Sequence, residues 1–223
     1  TLDVYRRETK DMLYNYDVPW PPNLYSSILA NVGHMRNQGV EAELTYDLIR
    51  SADLRWQVSG NWSTNANELV SLSNEAYDTD ECFTTGYTGE PVQKSTHRVC
   101  IGEPIGNFWG LKSVGIDQDG AWIVEDTLGN EVSIEDVGDQ DHVLGNGIPD
   151  HYVALNTAVR YKRWDLNLNM RGAFGHQILN FQRMFYENPT NTEYNMLESA
   201  FDPIYGERLL DYELDYVSYY VED

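Results

Sequence analysis

Apolar and polar side chains alternate one by one along several stretches of the chain. Trp56, Val58, Gly60 and Trp62 fall on one face of an extended segment, with Gln57, Ser59, Asn61 and Ser63 on the other. Val40, Ala42, Leu44, Tyr46 and Leu48 oppose Glu41, Glu43, Thr45 and Asp47. Leu166, Leu168 and Met170 oppose Asp165, Asn167, Asn169 and Arg171, and Val153, Leu155, Val159 and Tyr161 oppose Asn156 and Arg160. Successive strand side chains point to opposite faces, so each segment predicts a strand with one apolar and one hydrophilic side. A fifth candidate, from Leu2 to Tyr14, is too charged between Arg6 and Lys10 for the pattern to decide it. No long stretch follows a helical period. The pattern predicts an all-β, antiparallel chain.

The connections are unequal. Short polar turns at 50–53 and 162–163 join pairs of alternating segments, as in antiparallel hairpins. The remaining connections, 15–31, 69–150 and the tail after Gly175, are long. Compact soluble domains seldom hold structureless loops beyond about 15 residues. A membrane β-barrel has short turns at one rim and long loops at the other. The alternative is a soluble, secreted β-sandwich, a glycan-binding or adhesin domain whose long loops hold extra small strands. The hydrophilic faces lean toward the barrel. Gln57, Ser59, Asn61, Asn167 and Asn169 are uncharged groups suited to a wet lumen, whereas solvent-facing strands of soluble proteins use more Lys.

Composition narrows the function class. The 223 residues hold 36 Asp and Glu against 15 Lys and Arg, a net charge of −21. Such a negative field excludes nucleic acid as a partner. With 16 Tyr, 6 Trp and 41% hydrophobic residues the chain is no disordered acidic tail. It has no apolar run long enough for a transmembrane helix, which leaves a β-barrel untouched. The first residues do not read as a signal peptide.

Four motifs carry a family resemblance. Asn31-Val32-Gly33-His34-Met35-Arg36-Asn37-Gln38-Gly39-Val40-Glu41-Ala42-Glu43-Leu44 resembles the strand-opening N-x-G-x-x-x-N-x-G-V-E-x-E-L motif of TonB-dependent outer-membrane transporters, and Thr9-Lys10-Asp11-Met12-Leu13 resembles the strand before it. Ile101-Gly102-Glu103-Pro104-Ile105-Gly106-Asn107-Phe108-Trp109-Gly110 is similar to the G-E-P-h-G-x-F-[YW]-G motif of the SusC/RagA branch. Residues 139–150, from Asp139 through Leu144-Gly145-Asn146 to Pro149-Asp150, resemble its D-x-D-x-x-x-L-G-N-x-x-P-D, and Tyr219-Tyr220-Val221-Glu222-Asp223 resembles the start of a later strand.

The resemblance implies that residues 1–223 are about five strands of a barrel of about 22, with long extracellular loops. The plug and the remaining strands lie outside this chain, because five strands cannot close and open edges are not tolerated in lipid. It implies a Gram-negative outer-membrane importer of oligosaccharides or oligopeptides. Its partners would be a SusD-like surface lipoprotein, outer-membrane lipid, and the TonB complex acting through the plug. The turns at 50–53 and 162–163 would face the periplasm, with 69–150 and 175–223 outside. Acidic loops around a polar lumen suit a neutral polymer better than a polyanion.

Cys82 and Cys100 then sit in an oxidising exterior, and a disulfide between them is expected. Trp20, Phe108, Trp109 and Trp122, with Tyr25, Tyr77 and Tyr87, are the candidate substrate contacts. Loop packing or contact with the lipoprotein is the competing role for each. Trp56 and Trp62 are expected at the lipid. His97 near Cys100 lacks the companion ligands of a zinc site. Asp117-Gln118-Asp119-Gly120 begins like a calcium loop, but Ala121 and Leu128 stand where ligands belong, so a hairpin turn is favoured. No nucleophile, metalloprotease, P-loop or dinucleotide motif is present. The reading is of a chain without catalytic residues, cofactor or metal.

Overall fold

The computed structural model describes residues 1–223 except 19–20, 74–80, 91, 139, 191–194 and 211–213. In chain order the strands are β1 Leu2–Asp17, β2 Ser27–Arg50, β3 Leu54–Ser71, β4 Cys82–Tyr87, β5 Ser95–Cys100, β6 Asn107–Gly110 and β7 Lys112–Ile116. They continue with β8 Trp122–Glu125, β9 Glu131–Ser133, β10 His142–Asn146, β11 His151–Tyr161, β12 Trp164–Phe174 and β13 Ile178–Leu179. A helix α1 (Phe181–Tyr186), two 3-10 turns and β14 Val221–Glu222 complete the chain. Two compact units emerge: residues 1–81, 100–105 and 148–176 form the first, and 82–99, 106–147 and 177–223 the second.

The first unit is one antiparallel sheet in the order β1-β2-β3-β11-β12. Its register runs in rows: Leu2 faces Ala42, Ala42 faces Trp62, Trp62 faces Val153 and Val153 faces Gly172. The row through Leu44, Gly60, Leu155 and Met170 follows two residues away. Because strand side chains repeat every two residues, this register puts the large apolar residues of these rows on one face.

β1 is a full strand despite its charges, because pairing with β2 brings the Arg36 guanidinium to 3.6 Å from Glu8. Arg6 donates to Glu8 at 2.7 Å, and Arg36 to Glu68 at 3.0 Å. The register slips between Thr9 and Met12, with Asp11 at φ 57°, and there Gly33 lets Met12 come close. Gly39 has a sharper reason. A Cβ there would stand 2.1 Å from the Thr64 carbonyl oxygen and 2.7 Å from the Tyr5 hydroxyl, which spans the strand to bond Asn65 at 3.1 Å. The β1–β2 connection is shorter than the expected 15–31: it is 18–26, closed by Val18 N–H on the Ser26 carbonyl at 2.8 Å. Residues 100–105 seal the far end of β3, where Leu69 N–H reaches the Glu103 carbonyl and Gly102 N–H the Leu69 carbonyl.

In the second unit the expected long loops are largely built structure. A four-stranded sheet in the order β10-β6-β5-β4 accompanies the β7-β8-β9 meander and the β13-β14 pair. The core gathers Trp122, Val124, Met184, Val217 and Tyr220, all at most 2% exposed. The two meander turns are built alike. Asp117 Oδ1 accepts from the N–H groups of Asp119 and Ala121, and Asp126 Oδ1 from those of Leu128 and Asn130. Gly120 and Gly129 take the positive φ each turn requires. The residues that begin like a calcium loop are therefore a hairpin turn.

Candidate functional site

The five-stranded sheet has two faces of opposite chemistry. One carries Leu2, Val4, Leu44, Tyr46, Trp56, Trp62, Val153, Leu155, Trp164, Leu166, Leu168, Met170 and Phe174, all more than a third exposed, with Leu44 at 71% and Trp164 at 79%. In a soluble sandwich such a face would be the core, and here it is bare. From Leu54 to Thr64 on β3 the apolar rows cover ten residue steps, about 34 Å of strand. At the tilt of a membrane barrel near 45° that is about 24 Å of height, against an apolar band of about 25 Å. The aromatic residues Trp56, Tyr161 and Trp164 stand near the two short turns, where an interface girdle belongs.

The opposite face is hydrophilic. Thr45, Ser59, Asn156 and Asn169 share one row, and Asp47, Gln57, Ala158 and Asn167 the next. Acidic groups concentrate at Asp3, Glu41, Glu43 and Asp47, toward β1 and β2, while the middle of β3, β11 and β12 offers amides and hydroxyls. This face can hydrogen-bond a polar solute along its length without a strong field of either sign at its centre.

The expected substrate aromatics separate by burial. Trp122 is 1% exposed and packs against Tyr219 and Tyr220, with centroids 5.6 and 6.0 Å away. Phe108 is 6% exposed and lies 4.7 Å from the His97 ring. Neither ring offers a face to a ligand in this conformation; both fill the core because the short strands that carry them are covered on that side. Trp109 points the other way. It is half-buried, opposite the exposed Val143, with the Arg98 guanidinium 3.9 Å over its ring. Tyr25 and Tyr87 are exposed, while Trp20 and Tyr77 lie outside the described residues.

Both cysteines are disulfide-bonded, which closes the 82–100 loop and leaves no thiolate beside His97. Thr96 donates its hydroxyl hydrogen to the Gly86 carbonyl, so its oxygen accepts from His97 Nδ1 at 2.7 Å, which assigns the proton to Nδ1. Burial holds the His97 pKa below its ordinary value and keeps the ring neutral. Burial likewise raises Tyr216 and Tyr220.

Two residues that no motif singled out organise the second unit. Gln177 links residues from three of the motifs: its side chain accepts from Asn146 N–H at 2.9 Å and donates to Asp223 at 2.8 Å, while Asn146 donates to Asn107 at 2.8 Å. Arg183 bonds Glu187 at 2.8 Å and the Tyr219 hydroxyl at 2.7 Å, and it pairs with Glu222. These partners hold the guanidinium charged, Glu187 above all, and Arg183 with Asn180 lowers the Glu222 carboxyl. Glu187 is 3% exposed. Single polar residues without a spacing rule leave no signal in one sequence.

A family model described as TonB dependent receptor-like, beta-barrel, matches residues 1–216. TonB-dependent receptor P3 of Formosa agariphila is 29% identical over 198 residues, 81% of this chain and 19% of that protein. TonB-dependent receptor P39 of the same organism is 34% identical over 118 residues, 53% of this chain and 10% of that protein. TonB-dependent receptor SusC of Bacteroides thetaiotaomicron is 25% identical over 183 residues, 79% and 18% of the two. The chain thus spans no more than about a fifth of these curated relatives. Among solved structures, the RagAB peptide importer in its open-open state matches with a TM-score of 0.74 at 20% identity, covering 100% of this chain and 24% of that one. The RagAB peptide transporter matches at 0.69 and 21% identity, covering 100% and 25%.

Proposed function

Because the chain belongs to the TonB-dependent receptor-like β-barrel family, we propose that it builds one section of wall and rim in an outer-membrane importer of the SusC/RagA type. The observation that carries this reading is the bare apolar face, as tall as a bilayer's apolar band and backed by a polar face. On it, the turns at 50–53 and 162–163 face the periplasm and 69–150 and 175–223 lie outside, where the Cys82–Cys100 disulfide persists.

The cargo is a neutral oligosaccharide or oligopeptide, taken up with a SusD-like lipoprotein as lid and with TonB acting through a plug outside this chain. Amides and hydroxyls at the centre of the inner face, and a charge of −21, favour an uncharged polymer over a polyanion. Of the aromatic candidates in β6 and β8, Trp109 is our choice for touching cargo or lid, because Phe108 and Trp122 are buried. Trp20 keeps its candidate role from sequence. No residue is assigned a catalytic part.

The test is extraction of the native polypeptide from outer membranes with and without detergent. A polypeptide about four times this chain's length, since the chain covers 25% of its structural match, released only by detergent and importing a neutral oligomer, is expected. A detergent-free 223-residue species would restore the secreted sandwich, and uptake restricted to a sulfated or uronic glycan would overturn the neutral cargo.

A further inference from the structure

Asn146-Gly147, within the 139–150 motif, is the single place in the 223 residues where Asn precedes Gly. Packing calls for Gly at this position: a Cβ on residue 147 would stand 3.3 Å from the Phe108 ring. The same choice leaves Asn146 chemically exposed. With no side chain on the following residue, nothing shields the Asn146 Cγ from the Gly147 backbone nitrogen, and the backbone there has the freedom to bring the two together.

Attack of that nitrogen on Cγ forms a new N–C bond and closes a five-membered succinimide. The Cγ–Nδ2 bond breaks, and ammonia leaves with the proton from Gly147. Water then opens the ring at one carbonyl to give aspartate, or at the other to give isoaspartate, whose main chain runs through the former side chain. Water is the one co-reactant.

The fold engages both reacting groups. Gly147 N–H donates to the Gly106 carbonyl at 3.0 Å, and Asn146 Nδ2 donates to Asn107 Oδ1 at 2.8 Å. Gln177 holds the backbone on either side: its Oε1 accepts from Asn146 N–H at 2.9 Å, and its N–H reaches the Asn146 carbonyl at 2.8 Å. The Gln177 amide is anchored in turn by donating to Asp223 at 2.8 Å. Ring closure must release Gly147 N–H and Asn146 Nδ2 together. At about fivefold in the opening equilibrium for each hydrogen bond, the two slow the reaction by about twenty-five-fold.

We propose that Asn146 is a self-modifying site that Asn107 and Gln177 keep closed, so that its deamidation follows opening of this junction. Conversion to aspartate sets a carboxylate oxygen against Asn107 Oδ1, and conversion to isoaspartate lengthens the end of β10 by one backbone carbon. Either product unties Asn146 from Asn107, the terminal pair of the β10–β6 register. Because the lost ammonia does not return, the converted fraction records past openings. The proposal is independent of cargo and of membrane.

The intact protein, held at mildly alkaline pH, digested, and read by mass spectrometry and by isoaspartyl methyltransferase labelling, tests it. Exchange of the Asn146 amide NH₂ for OH should run about twenty-five-fold slower in the folded protein than in the same protein unfolded in guanidinium chloride. Gln177→Ala should speed it about fivefold in the folded state. Asp223→Ala, an exposed change that leaves the core intact, should speed it by a smaller factor and decides the matter where Gln177→Ala fails to fold. Equal rates in folded and unfolded protein, or no acceleration in either variant, would overturn the proposal. So would aspartate formed without isoaspartate, since direct hydrolysis of the amide bypasses the ring.

Discussion

Leu155→Arg is expected to be among the most damaging single changes on the outer face, and its cost follows from depth. Leu155 shares its row with Leu44, Gly60 and Met170, next to the midpoint of the rows that run from Leu54 to Thr64. An arginine at the bilayer midplane of a barrel costs about 2–4 kcal/mol, falling to about 0–1 near an interface. The same substitution at Trp164, in the outermost row, should therefore cost about 1 kcal/mol or less. Asn156→Arg, one residue along and on the inner face, should cost close to nothing beyond local repacking. Full-length protein folded into vesicles and titrated with urea, with the folded fraction read by gel mobility, supplies all three values. The predicted gap between Leu155→Arg and Asn156→Arg is roughly thirty- to a thousand-fold in the folding equilibrium. If Asn156→Arg proved the more damaging, or Leu155→Arg and Trp164→Arg cost the same, the apolar face would not be the one that meets hydrocarbon.

Gly39→Ala should cost about 1–3 kcal/mol through forced repacking, because its Cβ would meet a backbone oxygen at 2.1 Å; Gly60→Ala, with nothing nearer than 3.7 Å, should be tolerated in the same urea titration. Arg183→Met leaves the Glu187 carboxylate buried and unpaired, a loss of about 3–5 kcal/mol visible as faster amide exchange in α1, and adding Glu187→Gln should restore part of it. Removing both cysteines should cost about 3 kcal/mol for a loop of this size, measured by amide exchange within residues 82–100, whereas reductant should leave the double Ser variant unchanged. Neutral His97 binds protons less readily folded than unfolded. Its share of stability is thus held above pH 6.5 and lost as pH falls below it; His97→Phe should flatten that acid slope, and an unchanged slope would assign it elsewhere.

The sheet was legible because it obeys one rule over long distances. Alternation placed Leu44, Val58, Leu155 and Leu168 on a common face before any register was known, since a two-residue period needs only extended backbone. β1 escaped the same test: Glu8 faces Arg36 and His34 of β2 as well as Arg6 on its own strand, and charge without its cross-strand partner reads as solvent exposure. The second unit escaped for a different reason. Strands such as Glu131–Ser133 and Trp122–Glu125 are too short to show a period. Trp122 and Trp109 are the same residue type in strands of two different small sheets, with opposite fates; Tyr219 and Tyr220, arriving from far along the chain, bury the first. The motif asparagines Asn107 and Asn146 were visible, but not that Gln177 would be the group tying them to Asp223.

The length of β2 has a practical consequence. Of its 24 residues, those from Val40 to Ile49 serve the apolar band. The stretch from Ser27 to Gly39 continues past it, on the side away from the two short turns, hydrogen-bonded to β1 for most of its course. On the outer-membrane orientation proposed above, at about 3.4 Å per residue and a tilt near 45°, these 13 residues would lift the turn about 30 Å clear of the bilayer. On that same proposed orientation Leu24, 89% exposed, is where an epitope tag would stand above the sugars and headgroups of the surface, and antibody binding to it on living cells would check the orientation.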